Sequence, residues 1–147
     1  MLSYKLVSFD KDKDLEYIYN LKKMCYEIYV EHFYGGWDEQ KQREMFDDYL
    51  KENEKNIYLI YIEDLRIGFI DGKELSNTVY EQGNICISPK FRGKGIGTII
   101  LKDIIKKHKD KEIYLRVFKN NPAQNLYKRL GFEIIGETHS HYKMVKK

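Results

Sequence analysis

The sequence predicts an α/β domain, and three observations carry that reading. Stretches of period-2 alternation and stretches of helical spacing follow one another along the chain, and glycines and prolines fall at the joints. The chain's 147 residues, 42% hydrophobic and 33% charged, suffice to bury one core. No linker, repeat or low-complexity block interrupts them, so a single domain is expected over residues 1–147.

Residues 3–9 alternate as a short strand. From Asp14 to Val30, Leu15, Ile18, Leu21, Cys25 and Ile28 recur at helical spacing, with Asp14 or Asp12 placed to cap. Gly35-Gly36 breaks this helix, and Asp38 caps a second with Met45, Phe46, Tyr49 and Leu50 on one face. NIYLIYIE (56–63) reads as a strand, DLR (64–66) as a tight turn and IGFIDG (67–72) as the hairpin partner. NICIS (84–88), with some residues before it, is a further strand ending at Pro89. A helix from Lys94 to about Lys109 carries Ile96, Ile99, Ile100 and Ile104 on one stripe. EIYLRVF (112–118) is the next strand, Pro122 opens a helix as a first-turn proline, and Gly131 closes it. Strands FEIIGE (132–137) and HYKMVK (141–146) follow.

Composition excludes several classes. No stretch approaches the ~20 apolar residues of a membrane span, and MLSYKLVSFDKDKD at the start lacks a signal peptide's apolar core and cleavage site. Cys25 and Cys86 lie in contexts that read as buried, so reduced thiols and a cytoplasmic location are expected. Lysine outnumbers arginine 21 to 5 beside much Ile, Asn and Tyr, the composition of an AT-rich bacterial genome. A net charge of +3 permits an anionic ligand without demanding nucleic acid. KDIIKKHKDK (102–111) contains two aspartates and no stacking aromatic, so it reads as a solvated amphipathic helix and not as a nucleic-acid surface.

The densest chemistry lies in FRGKGIG, residues 91–97, where three of the chain's ten glycines follow a strand and open a helix. Such a junction is an anion site: outward N–H groups and the helix dipole meet a phosphate, and glycine removes the Cβ that would obstruct it. Arg92 and Lys94 add charge. A dinucleotide fingerprint fails because Thr98 stands where the third glycine belongs, and a P-loop fails because Lys94 precedes Gly95.

Arg92-Gly93-Lys94-Gly95-Ile96-Gly97 resembles the Arg/Gln-x-x-Gly-x-Gly/Ala motif of the GCN5-related N-acetyltransferase (GNAT) superfamily. NNPAQNLYKRLGFEIIGE resembles its second signature, Asn-x-x-Ala-x-x-Leu-Tyr then Gly-Phe, on Asn120, Ala123, Leu126, Tyr127, Gly131 and Phe132. The element order is similar to the family's over nearly the whole chain. The resemblance implies a mixed, mostly antiparallel sheet of about six to seven strands with about four helices. It also implies a splayed strand pair, here ending near Ser88 and Phe118, as a coenzyme A cleft.

It implies further that acetyl-CoA is the cosubstrate. Its pantetheine arm would pair with the backbone at Ile85, Cys86 and Ile87 and be held by Asn120, with its pyrophosphate on Arg92, Gly93, Lys94, Gly95, Ile96 and Gly97. Lys102 and Lys106 stand near a ribose phosphate or form a solvated face. Acetyl would pass to a primary amine by direct attack in a ternary complex. Tyr127 matches the family's general acid and keeps its proton at neutral pH, with a free pKa of ~10.

The base is open between Glu81, eleven places ahead of Arg92 as in histone-type members, and His141. Ribosomal-protein acetyltransferases carry a Glu five places before the signature Asn, and Leu115 stands there. The acceptor pocket would draw on Tyr29, Tyr34 and Trp37 around the Gly-Gly break and on His141. His139 and His141 share a strand face without a third ligand near in sequence, so no metal is expected. The expected partner is a small-molecule amine, or else a protein or peptide amine, with no nucleic acid and no membrane, in a monomer or homodimer. The alternative is a non-catalytic acyl-CoA sensor on the same fold.

Overall fold

The computed structural model describes residues 3–147. Seven strands form one sheet: β1 (Lys5–Ser8), β2 (Ile57–Ile62), β3 (Leu65–Glu74), β4 (Val79–Ile87), β5 (Glu112–Phe118), β6 (Glu133–Glu137) and β7 (His141–Lys146). Their order is β1-β2-β3-β4-β5-β7-β6. Four helices, α1 (Lys11–Tyr34), α2 (Glu39–Asn53), α3 (Ile96–Lys107) and α4 (Ala123–Arg129), complete the expected α/β class. The ladders β1–β2, β2–β3, β5–β7 and β6–β7 are antiparallel. The β4–β5 step is parallel, as a strand–helix–strand crossover requires. That parallel ladder holds only Val79–Glu81 against Glu112–Tyr114, while β4 runs on to Ile87 and β5 to Phe118.

The chain packs as two units. The first takes in the chain up to Asp71 together with Asn84–Arg92, and the second Gly72–Gly83 with Gly93–Lys147. In the first, Ile18, Tyr19 and Leu21 of α1 and Phe46 and Leu50 of α2 close over Ile57, Leu59, Phe69 and Cys86. Each such side chain contributes roughly 1.5–3 kcal/mol on full burial. Gly68 of β3 is required there, because a Cβ at this position would overlap the carbonyl oxygen of Cys86. In the second unit, Ile113, Leu115 and Val117 of β5 pack with Phe132 and Met144, and Tyr127 of α4 and Leu130 just after it add to them.

Several sequence expectations are corrected. The first strand is shorter, Lys5–Ser8, and the hairpin turns at Glu63-Asp64, where Glu63 takes φ 55°. Neither Asp12 nor Asp14 caps α1. Asp10 does, accepting the Asp12 N–H at 3.0 Å, because it is the last extended residue before the helix. Asp14 is buried instead, accepting the Asp10 N–H at 2.9 Å and pairing with Arg66 at 2.7 Å. Ile28 is 67% exposed and Met45 54% exposed, so the apolar stripes are narrower than spacing alone suggests. Helix α3 starts at Ile96 and not at Lys94, since Gly93 and Gly95 take φ 75° and 80°, outside the helical region.

Candidate functional site

A short turn separates β4 from α3. The Phe91 N–H donates to the Ser88 carbonyl at 2.9 Å and the Arg92 N–H to that of Pro89 at 3.3 Å, closing one tight turn. The two left-handed glycines then turn the chain into α3, whose start has no side-chain cap. Added Cβ atoms at Gly93 and Gly95 would meet nothing within 4 Å, so glycine is needed there for φ and not for packing. In the first turn, the N–H groups of Ile96, Gly97 and Thr98 precede any carbonyl able to accept them. Such a start suits an anion.

The second signature folds in its own unit. After β5, the Asn121 N–H donates to the Phe118 carbonyl at 3.0 Å, and the Asn121 side chain accepts the Ala123 N–H at 2.9 Å. Gln124 ties the same turn by donating to the Lys119 carbonyl at 2.7 Å. Asn120 is exposed on this turn. Tyr127 is half-buried on α4, edge-on to Phe132 with ring centroids 5.9 Å apart, so its orientation is set by the apolar cluster. Gly131, at φ 98°, then leads into β6. Glu81 is exposed on β4, in register with Tyr114.

His141 opens β7, with its ring on Phe118 at 4.1 Å between centroids and Nδ1 2.7 Å from the Ser140 hydroxyl. Burial first, and Arg116 second, hold its pKa below the usual imidazole value, so the ring is neutral at pH 7. A cavity of about 220 Å³ lies here, lined by Arg116, Gly136, Glu137, Thr138, His141 and Lys143. His139 is not on the strand face with His141; it sits exposed in the preceding turn. Among the described residues no three His, Cys, Asp or Glu side chains cluster as a metal site would need. No described helix is long and apolar enough to cross a membrane.

Both signatures thus lie where a strand hands over to a helix, and residues 22–132 match the acetyltransferase (GNAT) family. The chain belongs to the GNAT family. An N-alpha-acetyltransferase of Sulfurisphaera tokodaii is 31% identical over 114 residues, 66% of this chain and 68% of that protein. A spermine/spermidine N(1)-acetyltransferase of Bacillus subtilis is 43% identical over 56 residues, 35% of this chain and 37% of that protein. The crystal structure of PaiA N-acetyltransferase from Thermoplasma acidophilum, in complex with coenzyme A, shares the fold. Its TM-score is 0.72, over 99% of each chain at 22% identity.

In this GNAT chain the expected acceptor residues fall in different settings. Trp37 donates its indole N–H to Glu39 at 2.9 Å and stands edge-on to Tyr19 at 6.5 Å, which fixes it to the first unit's core. Tyr34 is exposed at the end of α1, and Tyr29 is half-buried, its hydroxyl pushed up by burial and drawn down by Arg92.

Two polar arrangements were not foreseen from the sequence. Asp71 on β3 accepts from the Tyr49 hydroxyl at 2.5 Å, the Asn84 side chain at 2.7 Å and the Asn84 N–H at 3.1 Å. Lys22 lies 4.3 Å over the Tyr49 ring with its pKa lowered by burial. A lone aspartate in the apolar run IGFID was the available signal. The other arrangement is Arg92. Its Nε donates to the Ile87 carbonyl at 2.9 Å, and its Nη2 reaches the Cys25 sulfur at 3.1 Å.

Proposed function

We propose that the chain transfers the acetyl group of acetyl-CoA to a primary amine by direct attack in a ternary complex. The observation that carries this reading is the pair of left-handed glycines leading into an uncapped helix directly after β4. Backbone N–H groups of residues 93–97 would hold the pyrophosphate, with Arg92 and Lys94 supplying charge. The backbone of Ile85, Cys86 and Ile87 would pair with the pantetheine arm, and Asn120 would hydrogen-bond it. Family membership supports the cofactor, and the complex of the Thermoplasma acidophilum protein with coenzyme A is in keeping with it.

In the transfer, the amine nitrogen attacks the thioester carbonyl carbon and the carbon–sulfur bond breaks. Tyr127 gives its proton to the departing sulfur, and the amine loses a proton to a base. Glu81 is assigned as that base, through a water, with His141 as the competing group because its ring is neutral at pH 7. Tyr29, Tyr34, Trp37 and His141 are assigned to the acceptor. Two similar proteins bear names for acetylation of an α-amine and of spermine or spermidine, which supports an amine acceptor of either kind. A soluble cytoplasmic setting without metal fits this chemistry.

The test is release of CoA thiol from acetyl-CoA across polyamines, amino acids and peptides, with Tyr127→Phe alongside. Amine-dependent release that falls about 100-fold in the variant, with acetyl-CoA affinity nearly intact, is the expected result. Equal rates for the two proteins would remove Tyr127 as the acid. No release with any amine, while acetyl-CoA still raises Tm, would favour a sensor.

A further inference from the structure

Cys25 has no role in the transfer chemistry, and neither does the side chain of Cys86, yet within the first unit Cys25 packs against the buried cluster that contains Cys86, and each thiol shifts the other's pKa. Cys25, on α1, is half-buried, whereas Cys86, on β4, is 1% exposed. Arg92 stands at 3.1 Å from the Cys25 sulfur and is held in place from its other side by the Ile87 carbonyl. The Cys86 thiol, followed by the Arg92 charge, draws Cys25 down to about 7 against the effect of burial. Burial, with Cys25 beside it, pushes Cys86 up. A half-buried thiolate packed on the cluster that holds a fully buried thiol is the arrangement of an attacking and a resolving cysteine.

We propose that Cys25 and Cys86 are a peroxide-responsive dithiol that closes to an intramolecular disulfide and removes the anionic partner of Arg92. The Cys25 thiolate attacks one oxygen of hydrogen peroxide, the O–O bond breaks, and the departing hydroxide takes a proton to become water. The Cys86 sulfur then attacks the Cys25 sulfenic acid. The S–O bond breaks, and the hydroxyl leaves as a second water with the Cys86 proton. Two thiols lose two electrons and two protons, and the peroxide is reduced to two waters. The disulfide carries no charge, so a negative group beside the residue that opens the glycine turn disappears. That this tightens acetyl-CoA binding, by about three- to tenfold, rests on the proposed function.

The test treats the reduced full-length chain with hydrogen peroxide, blocks remaining thiols with N-ethylmaleimide under denaturing conditions, and reads the intact mass. Both thiols should vanish together, with a loss of about 2 Da, no intermolecular dimer and no dimedone adduct. The rate should rise about tenfold between pH 6 and 8. Cys86→Ser should leave a Cys25 sulfenic acid that dimedone traps, and Cys25→Ser should leave Cys86 unreacted over the same interval. Should either variant fail to fold, the wild-type mass alone decides. Oxygen addition to Cys25 with Cys86 still alkylated, or survival of both thiols, overturns the proposal.

Isothermal titration with acetyl-CoA then compares the oxidised and reduced forms. Equal or weaker binding after oxidation overturns the coupling through Arg92. Absence of binding in both forms counts against the proposed function, while the mass result still decides the disulfide.

Discussion

Helices α1 and α3 begin in opposite ways. At α1, Asp10 accepts the Asp12 N–H, Asp14 reaches back to the Asp10 N–H, and Arg66 locks Asp14 in turn, so the chain's own carboxylates occupy the helix start. At α3, Gly95 offers no side chain, no cap bond is made, and the space over both glycines is open. The same partial positive charge develops at both ends. The difference teaches that a helix start is kept for an outside anion when the sequence withholds its own cap.

The contrast can be broken from either side. Gly95→Glu puts a carboxylate at the turn in a backbone conformation it disfavours, and acetyl-CoA affinity should fall at least about 100-fold. Calorimetric titration checks it, and unchanged affinity would move the phosphate site elsewhere. Asp14→Ala strands the Arg66 guanidinium and should cost about 2 kcal/mol, less than a fully buried pair because Arg66 is partly exposed. Urea denaturation reads that loss, and acetyl-CoA affinity should not change.

Gly95→Asn sharpens the comparison, because asparagine tolerates left-handed backbone and caps helices. Stability should hold while acetyl-CoA binds about tenfold more weakly, as the side chain competes for the N–H groups. Smallest is Asp10→Ala, which should destabilise by about 1 kcal/mol in urea and leave the cofactor untouched. A loss of cofactor affinity in this variant would mean that the two helix starts are not independent.

Elements whose signals are local were legible in the sequence. The glycine turn, Gly131 and the Asp38 cap appear as read, and Pro122 marks the start of α4 from one place earlier, as its N-cap residue and not in its first turn, since each is dictated by backbone chemistry within a few residues. Asp14 was misread because a capping aspartate and a buried, paired one look alike until Arg66, 52 residues away, is placed beside it. Asp71 with Tyr49 and Asn84, and Arg92 with Cys25, likewise join residues distant in sequence, where spacing carries no information. Ile28 and Met45 satisfy helical periodicity yet face solvent, since periodicity does not fix the width of the covered stripe.

The strand order has a consequence for association. β6 joins the sheet only through β7, which lies between it and β5, so its other side is an edge of the sheet. Ile134 and Ile135 on that edge are partly exposed, at 40% and 49%. An edge of this kind is where a second chain could add a strand. Glu133 and Glu137 bracket the two isoleucines, and charges placed so disfavour pairing with a second copy of the same strand.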